Sequence, residues 1–289
     1  MTYHLALGNR AYSSWSLRAW LLFERFGIAR ETTWVDFGAP RTTEEQLSDF
    51  VPARTVPALR TGSGAILSES LAIAEHLAEC HPEAGIWPDA PHARAVARNL
   101  AAEMHAGFEH LRSFCPMNLY LSYAGVEVPE PVQNDMHRLE RIWQMARDSA
   151  ENGTPWLCGS YSAADAFYAP VAARIAGYGL SVSETAQAYV AAHLSDPAFR
   201  RWRAMAIANG KILDRYSRDY PTREWPGPTP KPARAVEAKQ SENALCPYSN
   251  DPVTHFLEMD GRVFGFCNAF CRDKTIADPT AWPAFMALV

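Results

Sequence analysis

Residues 55–73 read Thr-Val-Pro-Ala-Leu-Arg-Thr-Gly-Ser-Gly-Ala-Ile-Leu-Ser-Glu-Ser-Leu-Ala-Ile. Thr55 to Leu59 has the composition of a short strand, but Pro57 interrupts it. Proline cannot donate to a β-ladder, so it marks an edge or a special backbone such as a cis bond. Gly62-Ser63-Gly64 then predicts a tight turn, and Ala65 to Leu67 resumes the strand. Ser68-Glu69-Ser70 opens a helix that runs through Leu71, Ile73, Ala74 and Leu77, with Pro82 beyond its end.

Upstream, residues 3–8 are apolar enough for a strand, and Asn9 to Ser14 forms a polar turn. Leu17, Trp20, Leu21 and Phe23 recur near helical spacing, and Gly27 can end that helix. Residues 31–36 predict a second strand, and 40–50 a loop with a short helix. Downstream the pattern is helical throughout. One long helix is expected over 92–122, a second over 130–149, and a third after Ser162-Ala163-Ala164-Asp165, whose spacing is that of a capping box. Shorter helices follow near 185–193 and 197–208, with no strand between. Strands followed by helices argue for two domains in series. Pro221, Pro226, Pro228, Pro230 and Pro232 then predict a stiff linker before a final segment with its own turn signals.

The bulk figures agree. A chain of 289 residues suits two domains plus a small appendage. A net charge of -5 is too mild to argue for nucleic acid or an anionic membrane as partner. No apolar run reaches the ~18 residues of a membrane span. The opening MTYHLALGNR lacks a basic leader and apolar core, so the cytoplasm is the expected location. Of six cysteines, Cys246, Cys267 and Cys271 fall together near the end, which in a reducing compartment suggests metal or redox chemistry.

Ser13-Ser14-Trp15-Ser16-Leu17-Arg18 resembles the SSCSxR signature of zeta-class glutathione transferases. Thr55 to Leu59 is similar to that family's VPxL segment, whose proline is cis. Ser68 to Ile73 resembles its ESxAI segment, and Ser162 to Asp165 its helical-domain capping box. Each motif is weak alone; four in order, over residues 1–215, are specific. The resemblance implies an α/β thioredoxin-like domain over 1–82, an all-α domain over 90–218, a linker over 219–243 and a small α+β module over 244–289. It also implies a homodimer that conjugates glutathione to a small electrophile. Trp15 departs from the signature's cysteine, which counts against zeta-type cis–trans isomerisation. Two alternatives stand beside conjugation: an isomerase of the maleylacetoacetate type, and a glutathione- or metal-binding scaffold without turnover.

Conjugation needs a thiolate near neutral pH, whereas a free thiol titrates at about 8.5. A hydroxyl aimed at the sulfur and the positive end of a helix both favour the anion. By resemblance Ser13 is that hydroxyl and Ser14 its understudy; read alone, either is equally an N-cap. Resemblance also gives Val56, beside Pro57, the cysteinyl backbone of glutathione. Ser70 and Glu69, at a helix start, take its γ-glutamyl carboxylate and amine. Arg54 takes the glycyl carboxylate or is a solvated surface arginine.

The final segment carries Cys246 in a turn, Asp260-Gly261 between alternating apolar runs, and Cys267 and Cys271 one helical turn apart. It resembles the YHS/TRASH metal-binding modules, which implies Cys246, Cys267 and Cys271 as metal ligands. His255 is a candidate fourth ligand or a half-exposed strand residue. Three thiolates suit zinc or copper(I); a segment of ~45 residues rarely holds itself together by burial alone, so metal, structural zinc before a catalytic ion, or docking on the main body is expected.

Overall fold

The chain is described from a computed structural model covering residues 2–150 and 153–289. Strand β1 (His4–Leu7) is central and buried, because Leu5, Ala6 and Leu7 leave no polar side chain to face water. It pairs in parallel with β2 (Glu31–Trp34) and antiparallel with β3 (Ala58–Arg60), which pairs antiparallel with β4 (Ile66–Leu67). The sheet order is β2-β1-β3-β4. Helix α1 (Ser14–Arg25) crosses between the first two strands, α2 (Thr43–Gln46) is a single turn, and α3 (Ser70–Cys80) closes the layer. This is the thioredoxin-like arrangement that the sequence motifs imply. Every residue of α1 from Ser14 to Phe23 is buried except Trp15.

The helical part consists of α4 (Pro91–Ala106), α5 (Glu109–Phe114), α6 (Glu130–Asp148), α7 (Ala163–Tyr178) and α8 (Glu184–Ser195). The single helix expected over 92–122 is instead broken after Ala106. A Cβ on Gly107 would meet the Glu103 carbonyl oxygen at 2.9 Å, and Phe108 follows with a φ of 58°. The chain turns there into α5 rather than running on. All of α7 is buried, as its apolar circumference predicts, and it packs on α1 and α4. Its start holds the expected capping box, in which the Asp165 carboxylate accepts from Ser162 N (2.9 Å) and Ser162 Oγ (3.2 Å). One small ribbon is unforeseen. β5 (Ser122–Tyr123) pairs with β6 (Thr222–Arg223), and two residues per strand are too few to leave an alternation in the sequence.

Two compact units make up the described chain. One runs to Leu194 and includes Leu213–Pro226; the other joins Ser195–Ile212 to Gly227–Val289. The second therefore begins earlier than the boundary at 244 and takes in α9 (Pro197–Asn209), expected to belong to the helical domain. Ala204 of α9 sits in this unit's core, and Arg200 donates to Asp278 at 2.8 and 2.6 Å. Part of the expected linker is also structured. β7 (Arg234–Val236) lies within it and pairs with β8 (His255–Met259), which pairs with β9 (Arg262–Phe266). Asp260 and Gly261 both have positive φ, 55° and 76°, as a tight two-residue hairpin turn requires. α10 (Ala269–Ala277) and α11 (Pro283–Met286) complete the unit. Its core is Leu257, Met259, Phe264, Phe266 and Phe285, with Cys246 buried among them.

Candidate functional site

A cleft of about 610 Å³ opens where α1 begins. Ser13, Ser14, Arg54 and Val56 line it; Pro57, Glu69 and Ser70 are outside its lining.

Ser13 is the N-cap of α1, in extended backbone conformation. Its Oγ accepts from Ser16 N at 3.3 Å and donates to Ser16 Oγ at 2.8 Å, which itself accepts from Gly8 N at 2.8 Å. The hydroxyl is thus spent inside the helix cap. Ser14 occupies the first helical position, and its Oγ accepts from Arg174 Nη2 at 3.5 Å. The Val56–Pro57 bond is cis. Among the described residues the Val56 backbone enters no hydrogen bond, so its N–H and C=O are available in the cleft.

At the start of α3, Glu69 makes no side-chain cap; its carboxylate sits 3.4 Å from His105 Nε2. Burial, ahead of Arg18 and Arg112, lowers the His105 pKa, and Glu69 opposes the shift. Ser70 is 1 % exposed and its Oγ has no partner, an unusual state for a buried hydroxyl. Arg54 is mostly exposed and pairs with Glu44 at 3.3 Å.

The sequence reading missed the cations behind this surface. Arg174 lies on α7, within a run of otherwise apolar residues, and donates to Cys115 O (2.7 Å) and Pro170 O (3.2 Å) as well as to Ser14. The Arg18 and Arg112 guanidinium carbons lie 4.2 and 4.9 Å from the Trp15 ring centroid. No carboxylate among the described residues pairs with Arg18, Arg112 or Arg174. A lone arginine within the apolar run 169–177 was the available signal, since burying an unpaired charge is costly.

In the second unit the sulfurs of Cys246, Cys267 and Cys271 lie within 4.8 Å of one another. The turn at 246 and the entry to α10 bring them together, and Asn268 caps that helix through Cys271 N. Cys267 Sγ accepts from Ser249 Oγ (3.4 Å) and Asn268 Nδ2 (3.3 Å). Burial raises the Cys246 thiol pKa, but bonds from the Cys267 and Tyr248 backbone outweigh it and hold the thiol below its usual value. Cys271 is pushed up to about 12, chiefly by burial and against the pull of Lys274. His255 stands outside the group; its Nδ1 is 2.9 Å from Thr254 Oγ1.

Comparison with known proteins points the same way. Residues 12–80 match the family model described as glutathione S-transferase, N-terminal domain. The fold is that of the glutathione transferases. A glutathione transferase homolog from Burkholderia gl BGR1, solved with bound glutathione, has a TM-score of 0.54 at 23 % identity, over 72 % of this chain and 98 % of its own. Glutathione transferase Omega 2S from Trametes versicolor gives 0.55 at 21 %, over 73 % and 99 %. Among curated proteins, the maleylacetoacetate isomerase of Dictyostelium discoideum is 26 % identical over 116 residues, 40 % of this chain. The match spans about half, 52 %, of that relative's length. No described helix is long and apolar enough to cross a membrane.

Proposed function

We propose that this chain binds glutathione in the cleft at the start of α1 and transfers its thiolate to a small electrophile. The observation that carries the reading is a serine-bearing helix start inside a cleft lined by Arg174, which is buried and has no carboxylate partner. The thiol proton leaves to solvent, the helix terminus and a serine hydroxyl hold the sulfur anion, and that anion forms the new carbon–sulfur bond as the leaving group departs. The free Val56 backbone and Arg54, both in the cleft lining, support recognition of the peptide; Glu69 and Ser70, outside that lining, have only the motif resemblance behind them. Isothermal calorimetry with glutathione tests the reading: saturable uptake is expected, and its absence overturns it. A chlorodinitrobenzene-type acceptor should then be conjugated.

The isomerase reading draws on the curated relative from Dictyostelium, whose name states that activity. Turnover of a cis-enediketone without net consumption of glutathione would favour it.

For the second unit we infer that Cys246, Cys267 and Cys271 hold zinc, which would tie the 246 turn to the entry of α10. Three convergent sulfurs fit a thiophilic ion. The cytoplasm is the expected location and a homodimer the expected assembly, the latter checked by light scattering.

A further inference from the structure

The cleft has two serine hydroxyls, and the cations around them distinguish the two. Ser13 has already committed its oxygen and its proton to the cap of α1. Ser14 has only an incoming bond from Arg174, so its own proton is free to be donated. Arg174 is itself 4 % exposed and held rigidly by two carbonyls, with its third nitrogen turned to Ser14.

The electrostatics ask for an anion at this point. Arg112 and Arg174 line the cleft with Arg54 and Arg215, against one acidic residue, Glu109. Arg18, 1 % exposed, has two guanidinium nitrogens without partners, and His105 lies beyond Trp15, ring centroids 5.1 Å apart. Burial first and Arg112 among its neighbours bring Arg174 down to about 10, which leaves it charged at neutral pH. A fixed positive charge in a poorly solvated wall strengthens any negative charge formed beside it.

We infer that Ser14, backed by Arg174, is the group that holds the glutathione sulfur as a thiolate, while Ser13 serves α1 as its cap. This rests on the glutathione reading above and goes beyond it in naming the pair. As the S–H bond ionises its proton passes to solvent. The sulfur then accepts the Ser14 O–H, and Arg174, donating to the same oxygen, makes that hydroxyl a stronger donor. Arg174 is thus a positioning and polarising residue, and Ser14 the one that touches the reacting atom.

The test is a pH titration of the thiolate absorbance of enzyme-bound glutathione, in the full-length protein, with S-methylglutathione as the thiol-free reference. Ser14→Ala and Arg174→Gln are each expected to raise the bound thiol pKa by about one unit or more, and Arg174→Lys to restore most of the Arg174 shift. The acid limb of kcat/KM should move by the same amount. S-methylglutathione affinity should hold in Arg174→Gln. Ser13→Ala should lower Tm and leave the bound thiol pKa at its wild-type value. Should Arg174→Gln not fold, Ser14→Ala and Arg174→Lys decide alone. The inference is overturned if Ser13→Ala shifts the pKa and Ser14→Ala does not, or if Arg174→Gln changes only the KM of an anionic acceptor. Failure of the wild type to take up glutathione is a different result and removes the parent reading as well.

Discussion

At the scale of single residues, burial decides which side chains are chemically available. His193, on α8, packs edge-on against Tyr189 and Trp156, ring centroids 4.5 and 5.2 Å away, and its Nε2 has no partner. Burial, then Arg25 and Arg147, lowers its pKa to about 3. The unfolded chain binds a proton there at about 6.5, so the native state is the poorer proton binder. Its stability is whole above pH 6.5 and falls as pH drops from there toward 3, by about 1.4 kcal/mol per unit. A pH series of thermal melts should show this slope, and His193→Phe should flatten it. An unchanged slope in that variant would assign the acid sensitivity to other groups. The same logic makes Arg174 legible only afterwards. The sequence shows an arginine among alanines, but not that its third nitrogen reaches a serine 160 positions away.

Among elements, α7 anchors the first unit, and a single side chain holds its start. Asp165 is fully buried and accepts from Ser162 N, Ser162 Oγ, Leu157 N and Tyr189 Oη. Burial raises its pKa and those donors oppose the shift. Asp165→Ala strands the donors in an apolar surround, where each lost partner costs about 1–3 kcal/mol. A loss of about 3 kcal/mol or more is expected in urea unfolding. Asp165→Asn, which keeps one acceptor oxygen, should lose less; equal losses would mean that side-chain volume, not hydrogen bonding, sets the cost. Ser162 to Asp165 was readable because a capping box is local, four residues deciding their own geometry. The break at Gly107 was not, since the 92–114 pattern of apolar residues continues across it.

For the whole molecule, two units with separate cores should melt separately. We expect two calorimetric transitions, with a thiophilic chelator or Cys271→Ser lowering only that of the unit containing α9–α11. A chelator-insensitive pair of transitions would show that Cys246, Cys267 and Cys271 pack without metal. The composition of this unit also shows why its limits escaped the sequence. Helix α9 has the spacing of any amphipathic helix, and contacts distant in sequence draw it in: the Arg200–Asp278 pair, the bond from Arg201 to Ala281 O, and Ala204 in the core.

Part of this chain is decided by neighbouring residues alone. That includes the strand–helix–strand opening, the turn at Gly62-Ser63-Gly64, the Asp260-Gly261 hairpin and the spacing of Cys267 and Cys271. Each follows from backbone preferences and side-chain periodicity over a few positions. Long-range packing settled that Ser13 is a cap, that Ser14 faces a buried guanidinium, and that Cys246 meets the other two sulfurs. Those outcomes depend on which charges and hydroxyls are withdrawn from water together, and burial is a property of the packed chain rather than of any segment of it.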